Sequence, residues 1–448
     1  MSLDLSCRRP LLTLVIASIT ACSSADEGNQ AGNAGSSGSA AGAPATAGAG
    51  NPSAGSATGG SASVGGTAPT AGNAAMQAGA STGGAAAGGT TSVAGSAQGG
   101  ASTGGTGQGG SAQAGNGSTA GAAGSGGGGS GASGKLIGFA TQNGGTTGGA
   151  AGQTVTATTF AELKMYAESA TAYVIKISGT ISNGANGGKI SIKSNKTLLG
   201  VGNNALLNGV GLEVANNNNV IIQNLRITLM GVTTRTDTAG VYSAADGAIL
   251  VNGGDAISIS GTSKNIWVDH CELYSEDPSV QTNKDLYDGL IDIKGQTGFI
   301  TISWCYLHDH HKGGLVGAAD DDLFADRKVT LHHNYYNKVK LRVPMYRGST
   351  GHFFNNYIVG ATDASEIRAD TCVRVEKNYY EALHFSIYTP ADAPGKTERI
   401  DNIEVSRTSR AYPAACTASI PYVYESALTN TTADVKTLVP AQAGVGKL

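Results

Sequence analysis

The chain has little from which to build an aromatic core or a charged interface. Of its 448 residues, two are Trp and seven are Phe, and only 14% are charged. A net charge of −3 offers no basic surface to nucleic acid or to an anionic membrane. Over residues 135–448 no HExxH, GxSxG or P-loop pattern occurs, and no Cys–His nucleophile arrangement is visible. Those absences argue against a zinc peptidase, an α/β-hydrolase and a phosphate-cradling nucleotide enzyme. No apolar run is long enough to span a bilayer as a helix.

The longest such run, residues 11–21, follows Arg8 and Arg9 and ends at Cys22, the layout of a secretory leader. Ile19-Thr20-Ala21-Cys22 resembles a bacterial lipobox. That resemblance implies a lipoprotein-type signal peptide over 1–21 and lipidation of Cys22, the chain's sole link to a membrane. With Ser23 next, a Gram-negative host would retain the protein at the outer membrane. Residues 22–134 are mostly Gly, Ala, Ser and Thr, which cannot bury enough apolar surface to offset the entropy of ordering. They are expected to form a disordered tether with an r.m.s. span of about 60 Å. A folded domain is expected over 135–448.

Within that domain one phrase recurs, most clearly between Asp255 and Arg347. It consists of a short apolar run, a turn, an alternating run, then a Cys or Asn before an aromatic or aliphatic pair. Its markers are Asn224, Cys271, Cys305, Asn334, Asn356 and Asn378, and the last two intervals are 22 residues each. A strand-turn-strand unit repeating at that period predicts an all-β solenoid, a right-handed single-stranded parallel β-helix. Residues 158–169 carry the one clear helical pattern. Thr159 and Glu162 form a capping box, and Phe160, Leu163 and Tyr166 recur at helical spacing. This short N-terminal helix is expected to cap the open end of the solenoid. Residues 173–181, 189–202 and 218–227 read as strands, 384–390 and 399–405 as final coils, and 406–448 as a terminal loop or short helix packed on the barrel.

Counting back from the markers puts Asp255, Asp292 and Arg342 on one flank of successive coils. Arg342 then lies two coils along from Asp292, about 10 Å away. Asp288 and Asp292 are four residues apart, so one straight strand would point both the same way. Three carboxylates without a partnering Cys suit a hard, oxygen-liking cation such as Ca²⁺. Lys294, Lys312, Arg342 and Arg347 lie near the same flank and suggest an anionic ligand. On spacing alone, solvated surface charges are the better explanation of both sets. The histidines of LHDHH (307–311) and LHH (331–333) show no zinc-ligand spacing, and His332 and His333 are expected on opposite faces of one strand. Cys271 and Cys305 occupy equivalent places in adjacent coils, a separation that permits a disulfide, and Cys372 and Cys416 form a second candidate pair.

WVDH (267–270), DGLIDIK (288–294), VTLHHNYY (329–336) and RVPMYR (342–347) resemble, in order and spacing, the pectate lyase superfamily of parallel β-helix polysaccharide lyases. The resemblance extends over about residues 150–385. It implies a Ca²⁺-dependent lyase acting on polygalacturonate, with Arg342 as the base that takes the C5 proton. Lys312 and Arg347, with Lys294 beside them, would bind substrate carboxylates. Asp255, Asp288 and Asp292 would hold Ca²⁺. Gly253 departs from the pattern, since relatives often carry a second Asp there, which implies weaker or substrate-dependent calcium binding. An arginine base implies an alkaline pH optimum. Two alternatives stand beside this one: a pectin lyase acting on methyl-esterified chains, and a non-catalytic β-helix that binds glycans as an adhesin. A monomer is expected.

Overall fold

In the computed structural model the described residues are 134–234, 247–382, 384–405, 408 and 411–448. The expected leader, Cys22 and the tether up to residue 133 lie outside them. The described residues wind through three parallel sheets of eleven, nine and eight strands. One full turn runs from Gly298–Ser303 in the eleven-stranded sheet to Tyr306–Lys312 in the nine-stranded sheet and Leu315–Val316 in the eight-stranded sheet. The next turn, Val329–His332, Tyr335–Leu341 and Met345–Arg347, pairs with it in parallel throughout. This is a right-handed parallel β-helix, as the repeat implied.

The interior consists of stacked side chains in register. Ile175, Leu198, Ile222, Val268, Ile302, Leu331, Phe353 and Val375 lie above one another through eight rungs of the eleven-stranded sheet. All are buried, and each such side chain contributes about 1.5–3 kcal/mol over its exposed state. Between the first two sheets a single residue in the left-handed region turns the chain: His270, Trp304, His333, Asn355, Lys377 and Asp401 have φ of 47–54°. The residue after it points inward. From Asn334 onward those inward residues form a ladder, in which Asn334, Asn356 and Asn378 each donate Nδ2 to the Oδ1 of the next asparagine, the last to Asn402. Every link satisfies a buried amide that would otherwise cost about 1–3 kcal/mol. Asn224, taken as the first marker, is itself the turning residue at φ 56°, so the inward position of that rung is Leu225.

The three early strand segments are each two strands on different sheets. Residues 173–181 divide into Tyr173–Ile177 and Thr180–Ile181, 189–202 falls across Gly188–Ser191 and Lys196–Gly200, and 218–227 across Val220–Gln223 and Arg226–Thr228. Left-handed turns at Gly179, Asn195 and Asn224 separate them. Helix α1 (Phe160–Ala167) has the expected capping box, with Glu162 N donating to Thr159 Oγ1 at 3.2 Å and Thr159 N to Glu162 Oε2 at 3.1 Å. Its buried Leu163 and Ala167 cover the interior at the first rungs. At the other end α2 (Val435–Gln442) lays Val435 and Val439 on Tyr357, Tyr335 and Tyr379, outside the nine-stranded sheet.

Cys372 and Cys416 are joined, fastening the C-terminal segment to the eleven-stranded sheet. The expected Cys271–Cys305 bond is absent, and both are buried free thiols. They occupy the inward position later taken by the asparagines, where side chains on successive rungs run parallel and do not converge as a disulfide requires. Each thiol instead faces backbone carbonyls, Cys271 Sγ that of Asp269 at 3.4 Å and Cys305 Sγ that of Ser303 at 3.3 Å.

Candidate active site

Asp255 closes a tight turn in which Asn252, Gly253 and Gly254 all have positive φ. Its buried Oδ1 accepts from Gly289 N at 3.1 Å. Asp292 lies on Ile291–Ile293, one rung later, and its Oδ1 accepts from Leu315 N at 3.2 Å. Asp288 precedes that strand, so the expectation of one straight strand carrying both acids fails: the chain bends in through the Asp288–Leu290 segment. The bend still delivers the third carboxyl, and Asp255, Asp288 and Asp292 each offer an oxygen within 4.8 Å of the others. Two glycines allow this approach. A Cβ at Gly289 would stand 2.3 Å from Asp292 Oδ1, and one at Gly254, with φ +90°, 3.0 Å from Asp288 Cβ.

The three acids strain one another electrostatically. Burial, then the charges of Asp292 and Asp288, push Asp255 up to about 7 against the pull of Lys294. Burial also raises Asp292, again opposed by Lys294. Lys294 Nζ stands 3.3 Å from Asp255 Oδ2 and 3.0 Å from Asp292 Oδ2. Beyond that ammonium, the buried Asp292 Oδ2 has no other partner among the described residues. An all-oxygen donor set and the mutual repulsion of three clustered carboxylates fit a hard divalent cation. An open cavity of about 400 Å³ adjoins the cluster, lined by Asp255, Ser258, Lys294, Asn252 and Gly253 among others. A Cβ at Gly253 would meet nothing within 4 Å, so an acid there would have room.

The basic residues follow along the same flank. Lys312, at the end of its strand, holds Asp285 Oδ1 at 2.7 Å and Asp288 Oδ1 at 3.0 Å. Arg342 turns the chain from the nine- to the eight-stranded sheet at φ 58°, two rungs beyond Asp292. It makes no ion pair with any described residue, whereas Lys294, Lys312 and Arg347 are all paired. Arg347 donates Nε to Asp320 Oδ1 at 2.7 Å and Nη1 to Gly317 O at 3.1 Å. On the next rung Arg368, in register with Arg347, shares Asp320.

Sequence reasoning missed Asp285, Asp320 and Arg368. Arg368 follows Arg347 at nearly the repeat period and was readable from it. The two acids lie on inserted loops outside the repeat. His310, buried and held neutral by that burial down to about 4, contacts Ser275 Oγ through Nδ1 and the Asp288 carbonyl through Nε2. His332 and His333 do not face apart. His333 is the turning residue, which brings the two Nδ1 atoms to 2.9 Å. Among the described residues the aspartate trio is the one group of three or more acidic, His or Cys ligands close enough to share an ion.

The family model described as pectate lyase matches residues 129–448. The chain is 37% identical over 322 residues to the pectate trisaccharide-lyase of Bacillus licheniformis, covering 70% of this chain and 87% of that one. It is 34% identical over 316 residues to the pectate lyase plyB of Emericella nidulans, covering 69% and 88%. It superposes on the crystal structure of a Bacillus pectate lyase in complex with trigalacturonate with a TM-score of 0.57 at 29% identity, over 70% of this chain and 99% of the other.

Proposed function

The chain belongs to the pectate lyase family and is a polysaccharide lyase, and from that we propose that it cleaves α-1,4-polygalacturonate by calcium-dependent β-elimination, releasing 4,5-unsaturated oligogalacturonides. The observation that carries this reading is the gathering of Asp255, Asp288 and Asp292, from two rungs, into a cluster within 4.8 Å. Basic side chains of the following rungs flank it.

Asp255, Asp288 and Asp292 would hold the calcium ion. When bound, calcium would supply positive charge against the uronate carboxylate, which gains negative charge as its α-proton leaves. Arg342 takes the C5 proton, and its lack of a carboxylate partner among the described residues suits a guanidine left available to substrate. Lys294, Lys312 and Arg347 bind the carboxylates of successive units and hold the chain in line. The C4–O4 bond then breaks without attack by water.

The test follows the ultraviolet absorbance of the unsaturated product on polygalacturonate, with calcium or EDTA, for the wild-type protein and Arg342→Ala. A rise that needs both calcium and Arg342 supports the reading. A rise on methyl-esterified pectin that is indifferent to EDTA, without one on polygalacturonate, indicates a pectin lyase, and no rise on either substrate indicates a glycan-binding module. The chain's layout is a further part of the proposal: a leader over 1–21, lipidation at Cys22, a tether to residue 134 and a monomeric catalytic domain over 135–448, held at the outer membrane or cell surface. The leader's layout around Cys22 supports it. Release of the Cys22→Ala protein from membranes into the medium is the expected outcome, and sedimentation of the domain at its monomer mass would check the last part.

A further inference from the structure

We propose that Asp320 is a positioning residue that fixes Arg347 for a uronate carboxylate; this rests on the substrate reading above. Asp320 does not belong to the repeat. It is carried by the excursion between Leu315–Val316 and Val329–His332. The excursion leaves the eight-stranded sheet at Gly317, whose φ is +86° and where a Cβ would stand 2.7 Å from Arg347 Cβ, so it packs directly on that arginine. It is also anchored from within. Arg327, fully buried, donates Nη2 to Asp322 Oδ1 at 2.6 Å, and Asp322 Oδ2 accepts from Ala318 N at 2.8 Å and Gly295 N at 3.2 Å. Asp320 therefore stands on a braced loop.

One carboxylate serves two guanidinium groups. Asp320 Oδ1 accepts from Arg347 Nε at 2.7 Å and Arg368 Nε at 2.8 Å, and Oδ2 from Arg368 Nη2 at 2.6 Å. The two arginines are not equivalent. Arg368 has all three nitrogens engaged, with Nη1 on Glu366 Oε1 at 2.7 Å. Arg347 has Nε on Asp320 and Nη1 on Gly317 O, and Nη2 has no partner among the described residues. Arg368 thus anchors Asp320, and Asp320 holds Arg347 by one side, leaving one nitrogen to meet a ligand. Without the shared carboxylate, two like charges on adjacent rungs would repel and the Arg347 fork would lose its orientation. The hydrogen bonds from Arg368 and Arg347 hold Asp320 at about 2, so it stays ionised through the working range.

The experiment is steady-state kinetics of Asp320→Ala, Asp320→Asn and Asp320→Glu on polygalacturonate with saturating calcium. Calorimetry of trigalacturonate accompanies it, with and without Asp320→Ala, in the inactive Arg342→Ala background. The expected result is a KM raised about tenfold in Asp320→Ala, with kcat and the pH–rate profile unchanged, and a matching loss of trigalacturonate affinity. Asp320→Glu should recover part of the loss. If Asp320→Ala does not fold, the near-isosteric Asp320→Asn decides. An unchanged KM, a lowered KM or a fall confined to kcat overturns the assignment. A wild-type protein that makes no unsaturated product sinks the lyase reading instead, so the two failures are distinguishable.

Discussion

Lys294 and Asp292 meet at 3.0 Å, and the same ammonium lies 3.3 Å from Asp255. Burial lowers Lys294, but the two carboxylates outweigh it and keep the ammonium charged above its ordinary value. The lysine is thus an internal cation lodged against the oxygens a calcium ion would use. Removing it should tighten calcium binding, because a like charge near the ion is worth about 1–4 kcal/mol. We expect Lys294→Met to bind calcium about tenfold more tightly or better by titration calorimetry, while its KM for polygalacturonate rises. Weaker calcium binding in Lys294→Met would show that the lysine organises the site and does not compete for it.

Gly253 allows the opposite manipulation. Its φ of +71° and the open space at its Cβ admit an aspartate, at a backbone cost of roughly 1 kcal/mol for a non-glycine residue in that region. A fourth carboxylate in Gly253→Asp should raise calcium affinity and, in EDTA, lower the melting temperature by added repulsion. Calorimetry and thermal melts with and without calcium check both signs. A variant that gains no affinity would mean that the turn at Asn252–Gly254 points away from the cluster.

Arg342 offers a cleaner separation, because it touches none of the three aspartates. Arg342→Ala is expected to lower kcat by about 10²–10⁴, the usual worth of a proton-transfer group, and to leave calcium affinity unchanged. An arginine accepts a proton only from its rare neutral form, so the wild-type rate should climb toward alkaline pH. A profile that peaks in mild acid would remove Arg342 from the role of base.

Legibility in the sequence followed the repeat. The parallel coils, the shared flank and the two-rung step from Asp292 to Arg342 were readable because a solenoid converts sequence period into spatial register. Errors came where one residue turned the chain. Asn224 was one position off the inward column, His332 and His333 were set on opposite faces, and Asp288 was put on a strand that starts at Ile291. Each reflects a left-handed residue or a bend that no two-residue period records. Cys271 and Cys305 were rightly stacked and wrongly joined, because rung spacing sets distance but not the direction of a Cβ. Asp285 and Asp320 were out of reach, since insertions between rungs carry them.

The two cysteine pairs should behave oppositely toward alkylation. In the native protein neither Cys271 nor Cys305 should react, since both are fully buried. In denaturant without reductant, peptide mapping should find both alkylated, and Cys372–Cys416 still linked. Replacing Cys372 and Cys416 with Ser opens a closure spanning 44 residues, with an expected loss of about 3–4 kcal/mol. An intact 271–305 linkage would contradict the arrangement of the inward column.

Acid should unfold the domain through its buried histidines. Burial pushes His310 down to about 4 and His333 down to about 3, and lowers His332 and His352 as well. In the unfolded chain all four return to about 6.5. Between that value and about 4 the unfolded state therefore binds more protons than the folded one, so stability is complete above about 6.5 and falls as pH drops. Two such histidines alone contribute up to about 3 kcal/mol per pH unit in that window. Asp255, raised to about 7, acts with the opposite sign, so the slope should be steeper in an Asp255→Asn background, where that opposing titration is absent. Urea midpoints at pH 7 and pH 5 should drop for the wild type, and less for His333→Asn. A midpoint that holds steady from pH 7 to pH 5 in Asp255→Asn would show that the folded protein accommodates charged imidazoles in its stacked corner.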